Sequence, residues 1–553
     1  MVRKSRTFQT RSRYSEIGVI RKTWENRIHV AVVYPSLYYV GMSNLGFQTV
    51  YRLFNAQKNV VCERAFLPEN KKQSNRQIRT IESGTPLGHF DIIAFSVSFE
   101  NDYPNIPQIL NASRIPIFSK QRVSLSPLVI CGGVACFLNP EPVAGFIDCF
   151  LIGEAEAIIP YFMEALDLND HRKSCLKNIA VNVPGAYVPE FYKIKYKKDN
   201  TVSCFEPMCD VPEKIKRTVA EDISRIPTCT TVLTSDTIFY NTFLIEVSRG
   251  CAHGCRFCSA GYIYKPPRFR PSALLEKSLN HGICLTNKIG LVGAAVSDLP
   301  GLNGLCNIAI EKNISISFSS LRADALTEQL VSALRQSHVK TITIAPDAGS
   351  ERMRKVIKKG LTESDILNAV QISVAGGILN VKLYFMVGLP TETMDDIAAI
   401  ADLCKKVKQT FLKSSRSQKR IGNITVSINP FVPKPFTPFQ WARMDDIKKL
   451  KVKIKLVKES LKKVANIRVQ SASLRWAYIQ GLLSRGDQRM SQILTLALKN
   501  HGNWPEILKA WPLNPDDYAL RARSLDQVMP WDFIDHGIKK DFLAREYKKS
   551  LKL

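Results

Sequence analysis

Two blocks of short, nearly all-apolar runs, each broken by Gly, Pro, Ser or Asp and followed by a helical stretch, restrict this chain to α/β architectures. The first block holds RIHVAVVYP, NVVCERAF, FDIIAFSVSF, PLVICGG and IDCFLIG. The second holds FLIEVS, KIGLVGAA, ISISFSS, TITIAPD, VKLYFMVG and ITVSINPFVP. Runs with apolar residues at nearly every position are strands buried on both faces, which is the condition of a parallel sheet covered by helices. At 553 residues the chain is also too long for one core.

The first block predicts a flavodoxin-like doubly wound domain over residues 28–165, whose ligands bind beyond the carboxyl ends of the strands. Gly41, Gly46, Ser96–Asn101, Gly132, Gly133, Gly153, Glu154 and Glu156 fall at those ends. Glycine at such turns lets a ligand approach the backbone closely. His89 precedes a strand and is read as structural. The second block predicts a (β/α)6-type partial barrel over 241–445, with its site on the carboxyl-end loops. Residues 166–240 are proline-rich and read as a connecting segment, with a hairpin turning at Asp199-Asn200. Residues 446–553 form a mostly helical tail. It opens on an apolar stripe, Ile447, Leu450, Ile454, Val457, Leu461 and Val464, with Asp445 and Asp446 at its amino end.

The net charge of +28, from 77 basic and 49 acidic side chains, favours a polyanionic partner such as RNA or a phosphorylated metabolite. A solvated basic surface is the alternative, and the eight lysines between Lys448 and Lys463 suit both readings. No run approaches a membrane span. The basic start, MVRKSRTFQTRSRYSE, lacks the apolar core of a secretory signal. Residues 1–27 are therefore expected to be a solvated arm on a cytoplasmic protein. In that compartment the 14 cysteines stay reduced, and those in apolar runs, such as Cys131 and Cys149, belong to the core.

Cys251, Cys255 and Cys258 are different: Cys-x3-Cys-x2-Cys lies on a tight loop directly behind FLIEVS. A structural zinc site takes four ligands, and His253 stands between two of the cysteines as a candidate fourth. A cubane iron–sulfur cluster held by three thiolates instead keeps one iron open for an outside ligand. No cysteine follows Cys404, so the tail cannot hold a second such cluster.

Cys251-x3-Cys255-x-Phe257-Cys258 resembles the signature of the radical S-adenosylmethionine superfamily. The turns GAAVSD (293–298), SSLRAD (319–324), APDAGS (345–350) and YFMVGLPTET (384–393) resemble the cofactor-binding turns of its barrel. NPFVPKPFTPFQW (429–441) and the GG…NPEP…D…GEAE pattern (132–156) are similar to the subgroup with an amino-terminal cobalamin-binding-type domain. The resemblance covers about 28–445.

It implies a [4Fe–4S] cluster on Cys251, Cys255 and Cys258, whose open iron chelates S-adenosylmethionine. One electron then breaks the sulfur–carbon bond to give methionine and a 5′-deoxyadenosyl radical. It implies Ala294, Ala295 and Ser297 near the methionine moiety, Ser319 and Arg322 near its carboxylate, and Asp347 near the ribose, where relatives usually carry Glu. Val387, Gly388 and Leu389 would flank the adenine. Reduced flavodoxin or ferredoxin would be the electron donor.

The resemblance leaves two states of the first domain open. YYVGMSNLG in its first loop lacks the Asp-x-His-x-x-Gly histidine that coordinates cobalt from below. A corrinoid bound without that ligand and a domain that has lost the corrinoid both fit. The expected activity is cobalamin-dependent methyl transfer to an unactivated carbon. The alternative is RNA modification of methylthiotransferase type without corrinoid, although the first domain lacks the cysteine triplet those enzymes carry. Glu246 and Tyr384 are candidate acid–base residues, with Glu246 alternatively organising the cysteine loop.

Overall fold

The computed structural model describes residues 14–69, 77–416 and 421–553. The amino-terminal sheet contains β1 (Ile28–Leu37), β2 (Val60–Leu67), β3 (Ile92–Ser96), β4 (Leu128–Gly132) and β5 (Cys149–Leu151). These pair in parallel in the order β2-β1-β3-β4-β5, the flavodoxin-like order. A short β6 (Ala186–Tyr187) adds an antiparallel edge to β5. Val30 to Tyr34 in β1 are all buried, as helices on both faces require.

Among the described residues the barrel half has seven parallel strands. β7 (Phe243–Glu246), β8 (Lys288–Val292) and β9 (Ser315–Phe318) form one sheet. β10 (Thr341–Asp347), β11 (Asn380–Val387), β12 (Ile424–Pro430) and β13 (Ile467–Ser471) form the next. In β11 every second residue, Val381, Leu383, Phe385 and Val387, is buried in the core shared with the outer helices. Lys382, Tyr384 and Met386 therefore lie on the opposite face.

The carboxyl-terminal fifth departs from the expected tail. α1 (Ile447–Leu461) is capped by the Asp446 side chain, which accepts from the Lys449 N–H, and it buries Leu450, Ile454, Val457 and Leu461. It is the crossover to β13, so the parallel sheet continues past residue 445. The polar alternation of IRVQS concealed that seventh strand. From α2 (Leu474–Arg485) onward the chain enters the core of the first domain. Trp531 and Met490 are fully buried there, and the Tyr187 and Phe533 rings lie 4.5 Å apart. α3 (Lys540–Leu551) then returns to the barrel.

The arm over 1–27 differs too. Its first 13 residues lie outside the described ones, but Glu16 is inside the fold. It pairs with Leu233–Thr234 through a short antiparallel strand, and its carboxylate meets Arg64 at 2.7 Å and the Tyr38 hydroxyl at 2.6 Å. Arg64 is fully buried, and a guanidinium there requires an anion. The 166–240 segment carries the expected hairpin: Tyr192–Tyr196 pairs with Val202–Pro207, with Asn200 at φ +63°.

Candidate active site

A cavity of about 650 Å³ lies between the carboxyl ends of the amino-terminal sheet and of β7, β8 and β9. From the first domain it receives Leu45, Val50, Phe95, Val134 and Phe137; from the barrel, Leu244, Leu291 and Phe318. The size and largely apolar walls are those of a cofactor or small-molecule site. Gly46, Ser96, Gly132, Gly133, Gly153, Glu154 and Glu156, marked at strand ends in the sequence, all line it. Gly133 has φ +105°, and a side chain there would run into the Val97 carbonyl. Among the described residues no histidine lines it, and His89 sits in an exposed turn ahead of β3.

The cysteine loop leaves β7 at one wall, where Glu246, Ser248, Arg249, Gly250 and Ala260 reach the cavity. Its base is tied to the first domain by buried charges. Arg249 meets Glu154, Glu156 and Glu246, each at 2.8 Å. Arg268 and Arg217 also hold Glu154, at 2.5 and 3.2 Å, and Arg270 holds Glu246 at 2.5 Å. Burial works against ionising Glu154, but the hydrogen bond from Arg268 and the charges of Arg249 and Arg268 outweigh it and keep its pKa low. Glu246 thus organises the loop.

Three further anchors fix the cysteines. His253 Nε2 lies 2.7 Å from Asp298 Oδ2, joining the loop to the turn after β8. Phe257 packs against the core of Ala348, Met353, Leu389 and Phe431. The Arg256 N–H donates to the Ile357 carbonyl at 2.9 Å.

Burial raises the Cys255 thiol to about 11, opposed by Lys359 and reinforced by Cys258, Asp347 and Cys251. Burial likewise raises Cys258, while the Ala260 and Gly261 N–H groups stabilise its thiolate. Among the described residues no three His, Cys, Asp or Glu side chains converge on a single ion position. Three thiolates are the donor set that a cubane cluster with one open iron takes, and His253 is engaged with Asp298.

The other candidates fall into three groups. Ala294 and Ser319 line the cavity, and the Ser319 hydroxyl accepts from the Gly293 N–H at 3.0 Å and donates to its carbonyl at 2.9 Å. Ala295 is buried in the same turn, and Ser297 Oγ accepts from the Arg322 N–H at 3.2 Å. Arg322 and Asp347 lie off the cavity lining. The Arg322 guanidinium is engaged by Asp324 at 3.0 and 2.8 Å. Asp347, at φ +63°, is paired with Lys359 at 2.6 Å, and burial raises its pKa despite that partner. Val387, Gly388 and Leu389 end β11, where the Gly388 N–H donates to Glu392 at 2.7 Å. Glu392 in turn is held by Lys453 of α1 at 2.7 Å.

Family models match both halves of the chain. Residues 46–189 match the model for the amino-terminal region of radical SAM proteins, and residues 245–404 match the radical SAM superfamily model. The uncharacterized protein MJ0966 of Methanocaldococcus jannaschii is 32% identical over 517 residues, covering 93% of this chain and 98% of that one.

The chain belongs to the radical S-adenosylmethionine (SAM) superfamily.

As a radical SAM enzyme it is also similar to the uncharacterized methyltransferase PH0819 of Pyrococcus horikoshii. That match is 25% identical over 171 residues, or 30% of this chain and 37% of that one. Its fold is similar to that of TsrM, a radical SAM methyltransferase from Kitasatospora setae solved with cobalamin and a [4Fe-4S] cluster bound. The TM-score is 0.50 at 11% identity, covering 86% of this chain and all of that one. Arg249, Arg268 and Arg270 were not singled out in the sequence. Their one signal was three arginines at alternate or near positions around a cysteine loop with one nearby acid, Glu246. Their other partners, Glu154 and Glu156, lie some hundred residues earlier, separated from Arg249 by 95 and 93.

Proposed function

We propose that this radical SAM enzyme holds a [4Fe–4S] cluster on Cys251, Cys255 and Cys258 and a corrinoid in the cavity between the two sheets, and transfers a methyl group to an unactivated carbon. The cavity carries this reading: it joins the carboxyl ends of both sheets, its walls are largely apolar, and the cysteine loop forms one side of it. When bound, the cluster supplies the electron that cleaves SAM, and the corrinoid supplies the methyl-carrying cobalt.

The protein's own residues bind and shield. Ala294, Ala295, Ser297 and Ser319 form the edge nearest the methionine moiety. Arg322 would meet the SAM carboxylate by exchanging its pairing with Asp324, since its fork already suits a carboxylate. Asp347 would reach the ribose while still held by Lys359. Val387, Gly388 and Leu389 offer an apolar strand end to the adenine. Apolar walls keep water from a radical intermediate. Tyr384, on the inward face of β11, remains the candidate for holding a proton near substrate.

The reconstituted, reduced protein should convert SAM to 5′-deoxyadenosine, read by liquid chromatography. Intact SAM after reduction of a cluster-loaded sample would refute the reading. A second reading, RNA modification without corrinoid, is favoured by the exposed lysines of α1 (Lys448, Lys449, Lys451, Lys455 and Lys458). It requires RNA affinity that falls steeply with salt.

A further inference from the structure

Arg256 stands between Cys255 and Cys258, yet its side chain points away from the cavity and under α3. Its Nε and Nη2 donate to Glu546 Oε2 at 3.3 and 3.2 Å, and its Nη1 donates to the carbonyls of Lys355 and Val356 at 3.1 and 2.8 Å. Both side chains are 7% exposed. The Arg256 carbonyl accepts from the Phe439 N–H at 3.2 Å, and Tyr547, one residue beyond Glu546, packs on Phe439 and Trp441. The contact therefore joins the cysteine loop to a helix 290 residues away in sequence.

We infer that Glu546 is a positioning residue that neutralises the Arg256 guanidinium beside the cysteine loop, so that the carboxyl-terminal helix helps set the reduction potential of the cluster bound there. The inference rests on the proposed cluster. Two backbone carbonyls and the main-chain bond to Ile357 already fix Arg256 in place, so anchoring alone does not call for a carboxylate. A carboxylate contributes charge. Reduction makes the cluster more negative, and net charge, hydrogen bonding and exposure set its potential. At a buried position an uncompensated guanidinium would favour the reduced state much more than one in water. Glu546 is itself kept ionised: burial opposes this, but Lys549, Lys358 and Arg256 outweigh it and lower its pKa. Lys358 and Lys549 approach the same carboxylate from the surface at 3.5 and 3.0 Å.

The test is a redox titration of the anaerobically reconstituted full chain, followed by electron paramagnetic resonance, with iron content measured on each sample. Glu546→Gln should move the midpoint to a more positive potential at unchanged iron content, and Glu546→Asp should largely restore it. The double variant Arg256→Gln/Glu546→Gln, which removes both charges, should return close to wild type. An unmoved midpoint in a fully loaded Glu546→Gln protein overturns the inference, as does a double variant displaced as far as the single one. Should Glu546→Gln lose iron, recovery of iron and potential in the double variant supports charge compensation, and loss in both overturns it. A wild-type chain that takes up no cluster fails earlier: it refutes the proposed function, and the inference falls with it.

Discussion

Cys251, Cys255 and Cys258 were recognisable from spacing because all three lie within one loop; what holds them was not. His253 tests the proposed ligand set. Cys251→Ala, Cys255→Ala or Cys258→Ala should each abolish iron–sulfur absorbance and SAM cleavage. His253→Ala should retain iron, because its partner is Asp298 at 2.7 Å; a zinc site using His253 would lose its metal. Asp102 offers a second test. It follows the buried Glu100, which is paired with Lys434 at 2.5 Å and with Gln480 at 3.0 Å. Burial first, then the Glu100 charge, push the Asp102 carboxyl up to about 7. A carboxyl raised in the folded state is protonated there while the unfolded chain has already ionised, so stability falls as pH rises between the two values. Asp102→Asn should therefore melt above wild type, by a margin that grows from about pH 4 to about pH 7 and then levels off.

Among the strands, those with long apolar runs were legible and those with short or polar ones were not. The flavodoxin-like order of β1 to β5 follows from runs that had to be buried on both faces. β6 contributes two residues as an antiparallel edge, and β13 alternates polar residues; neither satisfies a burial pattern by itself. The junction between the sheets was also hidden, because it consists of charges paired across distant segments. Glu154 is its centre, with a side chain 3% exposed and three arginines on it. Glu154→Gln leaves buried guanidinium charge uncompensated and should cost about 3–5 kcal/mol, read as a lowered unfolding midpoint in denaturant. The folded-state pKa of Glu154 is depressed, so its contribution is complete above the ordinary glutamate value and disappears as pH falls through the depressed one. The gap between variant and wild type should hold steady from about pH 8 to about pH 6 and close in acid.

For the molecule as a whole, the carboxyl-terminal fifth is a shared wall rather than a tail. His536 meets the Phe137 carbonyl at 2.8 Å, and Asn139 donates to the Ser484 and Gly486 carbonyls at 3.1 and 2.8 Å. A chain ending before Leu474 would expose the Tyr187 face of the first domain and should be insoluble or rapidly proteolysed; a stable, soluble truncation would contradict this packing. Such long-range contacts leave no local period in the sequence, which is why the helices were legible and their destination was not. Among the described residues no helix is long and apolar enough to cross a membrane. The amino-terminal sheet, the first barrel strands and the base of the cysteine loop line the cavity on which the proposed function depends. Its most direct test is the absorption spectrum of protein produced with cobalamin, reconstituted anaerobically and freed of unbound cofactor. The spectrum should contain bound corrinoid bands together with the iron–sulfur shoulder. A cluster-loaded protein that retains no corrinoid would contradict the account.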